Sequence, residues 1–314
     1  MAYLQVAQHY ANGSFDLAVN SWWSPMYSWL LVPFIWLKLP VTFAVRLVDV
    51  ASGLGFAFGV RALASRFTDQ RGRFLAFALG LLAGLILLPF YLTPGVLLTC
   101  LVTWYLVLAA KLFDSDSPRL AFKIGLFGGV TYLTKAYSLP FVAAHLFLTV
   151  LIKTIRGGQP AILPSIKQYA AGVGGLLLLA WPWIMVISAQ DGHWTISSVG
   201  SHACAWSAFP DGKWDEKIIR RLQQPRDGRV STWENPMEIP FSWPLWSPLD
   251  GQREMKRQIQ RIKENLLRLP ERMSADQRGI MALGLFFAVL QLFPLKETLR
   301  TSSGNLQLWG CLTV

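Results

Sequence analysis

Long apolar stretches separated by short, basic connections make up much of this chain. A transmembrane helix needs ~20 predominantly apolar residues, because the bilayer core offers the backbone no hydrogen-bond partners outside the helix. Seven stretches meet or approach this length: Val41–Leu63, Phe74–Leu92, Val96–Leu112, Ala121–Thr134, Leu139–Ile152, Tyr169–Ile187 and Ile280–Phe293. The pattern predicts an all-α, polytopic membrane protein with about seven transmembrane helices, of which the fourth and fifth are short and borrow turns from their flanks.

Basic residues in the short loops predict the orientation of these helices. Lys and Arg gather after the first, third and fifth stretches, and positively charged short loops stay in the cytoplasm. By alternation, residues 1–40 form a first extracytoplasmic loop with a juxtamembrane helix, and residues 41–188 form a bundle of about six spans. Residues 189–278 form an extracytoplasmic, loop-rich region with many Trp and Pro, which serves either as a lid over a site or as a structural cap. Residues 279–314 hold the last span and a cytoplasmic tail.

The composition agrees with a membrane protein and argues against two other classes. Charged residues make up 15% of the chain and hydrophobic residues 53%, whereas roughly 25% of the residues in a soluble domain are charged. The net charge of +11 is explained by the cytoplasmic loops, so we expect no nucleic-acid partner. The three cysteines and four histidines lack the spacing of a disulfide framework or a metal site, and we expect no metal and no cofactor.

The stretch from Gln252 to Leu269 has the pattern of an amphipathic helix. Met255, Ile259, Ile262 and Leu266 follow one another at spacings of 4, 3 and 4 residues, which places them on one helix face. The other face is mixed and mostly cationic. Such a helix either lies on the bilayer or over a lipid-linked substrate, or it is a solvated helix packed on its own domain.

Charged residues near the outer ends of the spans are the first candidates for a site, since burying an ionised group in the bilayer is costly. Arg46 and Asp49 share one helix face as either a structural pair or a cation that reaches the surface. Lys135 lies at the predicted outer turn between the fourth and fifth spans, beside Tyr132 and Tyr137. Its ammonium either anchors the chain at the interface or binds a lipid phosphate.

An aromatic-rich segment, "NSWWSPMYSWLL" from Asn20 to Leu31, precedes the first span on the same predicted face. Pro25 is suited to the first turn of a new helix, and the Trp and Tyr side chains are suited to the membrane interface. Aromatic rings stack on sugars, and a lysine binds phosphate as a point charge. We expect this segment, the Lys135 turn and the Leu92-Thr93-Pro94-Gly95 turn to converge on the outer face, a combination that fits a phospholipid-linked sugar better than an ion.

The order of four motifs resembles bacterial members of the GT-C superfamily of membrane glycosyltransferases. The motifs are "NSWWSPMYSWLLVPFIWLKLP", "AVRL", "LTPG" and "GGVTYLTKAYSLPF". The resemblance is strongest to the branch of protein mannosyltransferases, aminoarabinose transferases and lipopolysaccharide sugar transferases. That branch has a "W-S-P-L-Y" type segment in its first outer loop and a later span that ends in "G-L-A-Y-L-T-K". The counterparts here are Trp23 to Tyr27 and Gly129 to Lys135.

The resemblance implies sugar transfer from a polyprenyl-phosphate donor to an extracytoplasmic acceptor, at a bacterial inner membrane. Because the departing polyprenyl phosphate gains negative charge, we expect Lys135 to bind the donor phosphate, with Arg46 assisting if it reaches out of the membrane. The resemblance also implies a set of residues that line the substrate site: Trp23, Pro25, Tyr27, Tyr132 and Tyr137.

Two departures from the family pattern bear on activity. The family has a catalytic aspartate upstream of a step like Tyr3-Leu4, so we expect that aspartate and a preceding span to lie outside this chain. Asp16 is the weak remaining candidate, and Gly95 stands where relatives often have an acidic residue. Whether this chain is active is therefore open. A transporter or flippase of an amphipathic substrate is the alternative, and a partner-binding membrane protein is a third.

Overall fold

The computed structural model describes residues 2–87, 93–156, 162–200, 227–238 and 251–272. Within these ranges the chain is helical and has no strand. Its α-helices are α1 (Ala2–Ala11), α2 (Phe15–Ala18), α3 (Met26–Trp36), α4 (Val41–Ala64), α5 (Gln70–Leu87), α6 (Gly95–Ala110), α7 (Pro118–Thr134), α8 (Ser138–Arg156), α9 (Ile162–Asp191) and α10 (Gln252–Arg272). Short 3₁₀ turns cover Lys111–Asp114, Thr232–Glu234 and Pro236–Glu238. The predicted all-α class is confirmed for the described residues.

Four stretches of helix, not seven, are long and apolar enough to cross a membrane in the described part of the chain. They are Val41–Ala64, Gly95–Asp114, Ser138–Ile155 and Ile162–Asp191. The first turn of helix α5 contains the polar residues Gln70, Arg71 and Arg73. Helix α7 has 17 residues, which include Arg119 and Lys123. Within the described residues, both therefore have fewer apolar residues than the ~20 that span a bilayer.

Some sequence predictions fall on residues that the structure does not describe. The predicted last span, Ile280–Phe293, lies outside the described residues, as does the end of the second stretch at residues 88–92. Within the predicted Trp/Pro-rich region, residues 201–226, 239–250 and 273–278 also lie outside them.

Helix α4 shows the surface that a membrane helix needs. Its exposed apolar side chains form one stripe: Phe43, Leu47, Val50, Leu54 and Phe58. Its buried positions are mostly small or polar: Ala44, Val45, Asp49, Ser52, Gly53, Ala57 and Gly59. In water the large apolar residues would be buried, whereas in lipid they face the acyl chains and small residues allow helices to approach. The distribution agrees with a membrane-spanning helix.

The chain divides into two compact units. The first comprises Met1–Gly200 with Lys213–Ser242, and the second comprises Ser201–Gly212 with Trp243–Val314. In the first unit, α4 packs against α5 and α6, α6 against α7, and α7 against both α8 and α9. Helix α1 lies against α3, which packs on α4. The described part of the second unit is residues 251–272, which hold α10.

Local signals in the sequence explain where α7 begins. The Ser117 hydroxyl accepts a hydrogen bond from the backbone N–H of Leu120 at 3.3 Å, and Pro118 follows at the first helical position. Both features favour a helix start, because the first backbone N–H groups of a helix have no partner inside it. Helix α7 ends at Thr134, so that Lys135 is the first residue beyond it.

Candidate functional site

Four segments of the first unit surround a cavity of about 450 Å³. The segments are the start of α1, the loop before α3, the turn between α7 and α8, and the loop after α9. The lining residues are Tyr3, Trp22, Trp23, Ser24, Lys135, Ala136, Tyr137, Pro140, Ile196, Ser197, Val199 and Gly200. The structure therefore brings the Trp-rich opening and the Lys135 turn to one cavity, which we call the Lys135 cavity. Thr93, Pro94 and Gly95 of the third predicted feature do not line it.

The loop before α3 takes its shape from Asn20. The side-chain carbonyl of Asn20 accepts hydrogen bonds from the backbone N–H groups of Trp22 at 3.2 Å and Trp23 at 2.7 Å. Asparagine readily stabilises such turns, since its short side chain can replace a backbone acceptor. Helix α3 then begins at Met26, directly after Pro25. The turn directs Trp22 and Trp23 to the cavity.

The loop after α9 is held in place by hydrogen bonds to the loop before α3 and to α7, and it forms another part of the cavity wall. The backbone N–H of Ser198 and the hydroxyl of Ser197 both donate to the carbonyl oxygen of Ser21 at 3.1 Å. The hydroxyl of Tyr132 donates to the carbonyl oxygen of Ile196 at 2.9 Å. These bonds fix residues 196–198 between the loop before α3 and the end of α7.

Lys135 is positioned by the backbone of the α7–α8 turn. Its N–H donates to the carbonyl oxygen of Thr131, and its own carbonyl oxygen accepts from the N–H of Ser138, both at 3.0 Å. The side chain is half-buried, and this burial lowers the pKa of the ammonium. Among the described residues no carboxylate lines the cavity. The site thus presents a partly desolvated cation that an anion would stabilise.

Aromatic rings form much of the remaining wall. Tyr3 and Trp23 lie with ring centroids 5.0 Å apart, and Trp22 and Trp23 lie 6.3 Å apart. The indole N–H of Trp23 donates to the carbonyl oxygen of Trp233 at 3.0 Å, which fixes the ring. Burial, and to a lesser extent the neighbouring Tyr137, raises the pKa of Tyr3, which keeps its phenol protonated at neutral pH. The wall offers ring faces and hydroxyl groups without negative charge.

Three residues that the resemblance implies at the substrate lie behind the wall. Pro25 is buried at the start of α3. Tyr27 is fully buried and donates from its hydroxyl to Oδ1 of Asp49 at 3.1 Å, with its ring against Tyr3 at a centroid distance of 5.7 Å. Tyr132 is buried and holds Ile196 as described above. The geometry gives all three a supporting position.

Arg46 and Asp16 do not belong to the residues that line the Lys135 cavity. Arg46 is exposed on α4, one turn before the buried Asp49. Asp16 is exposed in the first turn of the short helix α2. Lys135, Trp23 and Tyr137 are therefore the sequence-derived candidates that meet at the cavity.

A contact between His9 and Glu234 that the sequence did not indicate joins α1 to residues 230–234. Nε2 of His9 lies 2.7 Å from Oε2 of Glu234, whose other oxygen accepts from the N–H groups of Val230 at 2.7 Å and Ser231 at 2.9 Å. Glu234 is fully buried. The spacing Ser231 to Glu234 is that of a capping box, a signal that predicts the local turn but not its distant partner. This contact places Trp233 next to Trp23.

A second cavity of about 620 Å³ lies beside α3, α7 and α9 and is almost entirely apolar. Tyr10, Trp29, Trp36, Leu133 and Trp183 are among its lining residues. Leu133 lies two residues before Lys135 on the chain, at the end of the same helix. Helix α7 therefore lines this apolar cavity through Leu133 and also positions Lys135 at its end.

These features define the class of the protein. Four candidate transmembrane helices, with large apolar side chains facing outward, mark an integral membrane protein with an all-helical described part. No three His, Cys, Asp or Glu side chains of the described ranges come together as a metal site would require. Comparisons with models of known protein families, with curated proteins and with solved structures found no match to this chain.

Proposed function

We propose that the Lys135 cavity binds the phosphate and sugar of a polyprenyl-phosphate donor, in a membrane protein that transfers the sugar to an extracytoplasmic acceptor. The observation that carries the proposal is the half-buried Lys135 ammonium in a cavity lined by Tyr3, Trp22, Trp23 and Tyr137. A phosphate supplies the negative charge that the lysine lacks among the cavity residues. The ring faces suit a sugar, and the hydroxyl groups of Ser24 and Ser197 can hydrogen-bond to it.

The same lysine has a chemical role in sugar transfer. When the bond between the sugar and the phosphate breaks, negative charge grows on the departing phosphate. A fixed cation stabilises this charge more strongly in the transition state than in the ground state, which is the condition for catalysis. The backbone of Lys135 is held by the α7–α8 turn, which places its side chain at the cavity.

The apolar cavity beside α3, α7 and α9 supports a lipid-linked substrate. Its volume of about 620 Å³ and its apolar lining suit the first isoprene units of a polyprenyl chain. A hydroxyl acceptor also needs a base that removes its proton. The described lining of the Lys135 cavity contains no carboxylate or histidine, so the proposal assigns donor binding to this cavity and leaves the base unassigned.

Binding of farnesyl phosphate to the full chain in lipid nanodiscs tests the proposal. Loss of a charged hydrogen bond costs ~1.5–3 kcal/mol, so Lys135→Ala should weaken binding by roughly 10- to 100-fold. Lys123→Ala removes the same charge from an exposed position on α7, the helix that precedes Lys135, and should leave the affinity unchanged. Equal affinities for the parent and Lys135→Ala would refute phosphate binding by this residue.

A transporter or flippase remains the second candidate, because α4 carries a carboxyl group inside a candidate span. Asp49 is fully buried, 8 residues into the 24-residue helix, or about 12 Å along its axis. Ionisable groups within spans often serve transport. Translocation of a fluorescent polyprenyl phosphate across proteoliposomes by the parent, and its loss in Asp49→Asn, would favour transport over transfer.

A further inference from the structure

Helix α10 leaves its apolar side open. The helix has 21 residues, and its apolar stripe of Met255, Ile259 and Ile262 is exposed, with Ile259 and Ile262 at 59% and 50%. The half-buried positions lie elsewhere on the helix and are polar: Glu254, Arg257, Gln258 and Arg261. A helix packed on its own domain would cover the stripe and expose the charges. Here the partly buried side is polar, and the apolar stripe is exposed in the part of the chain that the structure describes.

The cations of α10 are placed with respect to this stripe. At about 100° per residue, Lys256 and Lys263 fall on the same side of the helix, next to the stripe. Both are exposed. Arg253 and Arg268 are also exposed but lie toward the opposite face. Elsewhere on the helix Arg257 is neutralised by Glu254 at 3.1 Å. Lys256 and Lys263 take no part in this ion pair, and both border the apolar stripe.

This arrangement is that of a helix at a membrane surface. Apolar side chains enter the boundary between headgroups and acyl chains, and lysines beside them extend to the phosphates. Anionic lipids add electrostatic attraction for each cation near the surface. The described residues already include four candidate transmembrane helices, so a bilayer is present wherever the protein is inserted.

We propose that α10 lies along the surface of a bilayer that contains anionic lipids. Met255, Ile259 and Ile262 enter the lipid, and Lys256 and Lys263 bind lipid phosphates. This role is independent of sugar binding at the Lys135 cavity.

A fluorescent label on a single cysteine tests the position of the stripe in the full chain. Cys100, Cys204 and Cys311 are replaced by serine or alanine, and Ile259→Cys is labelled with bimane in nanodiscs. The nanodiscs contain phosphatidylcholine alone or phosphatidylcholine mixed with phosphatidylglycerol. With phosphatidylglycerol, spin-labelled acyl chains should quench the label, and acrylamide in the water should not. Ile262→Cys provides a second position, and Glu264→Cys, exposed on the opposite face, should show the reverse pattern.

Charge removal separates the lysines from the general charge of the helix. Each of Lys256→Gln and Lys263→Gln should lower the ratio of lipid-bound to water-exposed α10 about fivefold, equivalent to ~1 kcal/mol. Arg253→Gln with Arg268→Gln removes the same charge from the far side and should have a smaller effect. Quenching by acrylamide at position 259 in both lipid mixtures would overturn the proposal. Protection from both quenchers, or equal lipid quenching without phosphatidylglycerol, would also overturn it.

Discussion

Helices α7 and α9 meet through glycines, whereas α1 meets α3 and the loop before it through aromatic rings. A Cβ atom on Gly125 would lie 1.8 Å from the carbonyl oxygen of Gly172, and one on Gly175 would lie 2.1 Å from that of Phe122. In the aromatic cluster, the rings of Tyr3, Trp23 and Tyr27 pack at centroid distances of 5.0 and 5.7 Å. Backbone contact leaves no room between helices. The Lys135 cavity lies next to the aromatic cluster, and Tyr3 and Trp23 of the cluster line it.

The difference assigns separate tasks to the two regions. The glycine contact fixes the position of α7 and therefore of Lys135 at its end. The aromatic cluster supplies the wall that a ligand would touch. A change at the glycine contact should affect the whole unit, whereas a change in the aromatic cluster should act more locally.

Gly125→Ala should have the largest effect on stability. The added Cβ meets a backbone oxygen that cannot rotate away, so the two helices must separate. Overpacking of a tight contact typically costs ~1–3 kcal/mol and more where the backbone must move, and we expect the upper end or beyond. The loss of stability can be measured by heating the protein in detergent and using size-exclusion chromatography to quantify the fraction that stays folded.

Gly174→Ala is the matched control for this prediction. It lies on α9, and a Cβ there would meet nothing within 4 Å. Alanine favours a helix over glycine by ~1 kcal/mol, so this variant should be as stable as the parent or more so. If both variants melt at the same temperature as the parent, the close contact between α7 and α9 does not exist.

Much of the helical architecture could be predicted from apolar runs, but the number of spans could not. Leu139–Ile152 looked too short, yet α8 extends this stretch to Ser138–Arg156 and provides one of the four candidate spans. Its neighbour, Ala121–Thr134, extends only to the 17 residues of α7. Helix length depends on how far the flanking polar residues continue the helix, and hydropathy alone does not report this.

The candidate site could be predicted only in part, because local sequence patterns do not report which face of a helix is buried or which distant residues meet. The predicted outward position of the Trp-rich segment and the Lys135 turn pointed to their convergence, and both line one cavity. Helical period places Tyr27 and Leu31 on the same face, but it does not say that this face is buried. The contact between His9 and Glu234 joins residues 225 positions apart, and no local pattern encodes such a pairing.

Tyr27→Phe should have a smaller effect, confined to the aromatic cluster. The change keeps the ring and removes the hydroxyl that donates to Oδ1 of Asp49, while Oδ2 has no hydrogen-bond partner among the described residues. A buried polar group left without a partner costs ~1–3 kcal/mol. The same thermal measurement should show a destabilisation within this range, and the exposed Tyr137→Phe should show little change.

A double substitution distinguishes a lost hydrogen bond from lost packing. Replacing both polar partners, as in Tyr27→Phe with Asp49→Val, removes the unsatisfied carboxyl and should recover part of the lost stability. Additive losses in the double variant would mean that the hydrogen bond between Tyr27 and Asp49 contributes nothing of its own.

Lys135→Met should have the smallest effect, and it should be a gain in stability. Because burial lowers the pKa of Lys135 in the folded protein, the folded state pays for a buried charge at neutral pH. This cost disappears as the pH rises through the folded pKa towards the unfolded value of about 10.4. Without ligand, Lys135→Met should therefore melt slightly above the parent at pH 7, and the difference should vanish near pH 11, above that unfolded value.

The same substitution should abolish the response to farnesyl phosphate. In the parent, a bound phosphate pairs with the ammonium and stabilises the folded state, so the order of melting temperatures should reverse when ligand is added. Lys123→Met, exposed on α7, controls for the removal of one positive charge. A Lys135→Met variant less stable than the parent without ligand would show that the ammonium already has a stabilising partner.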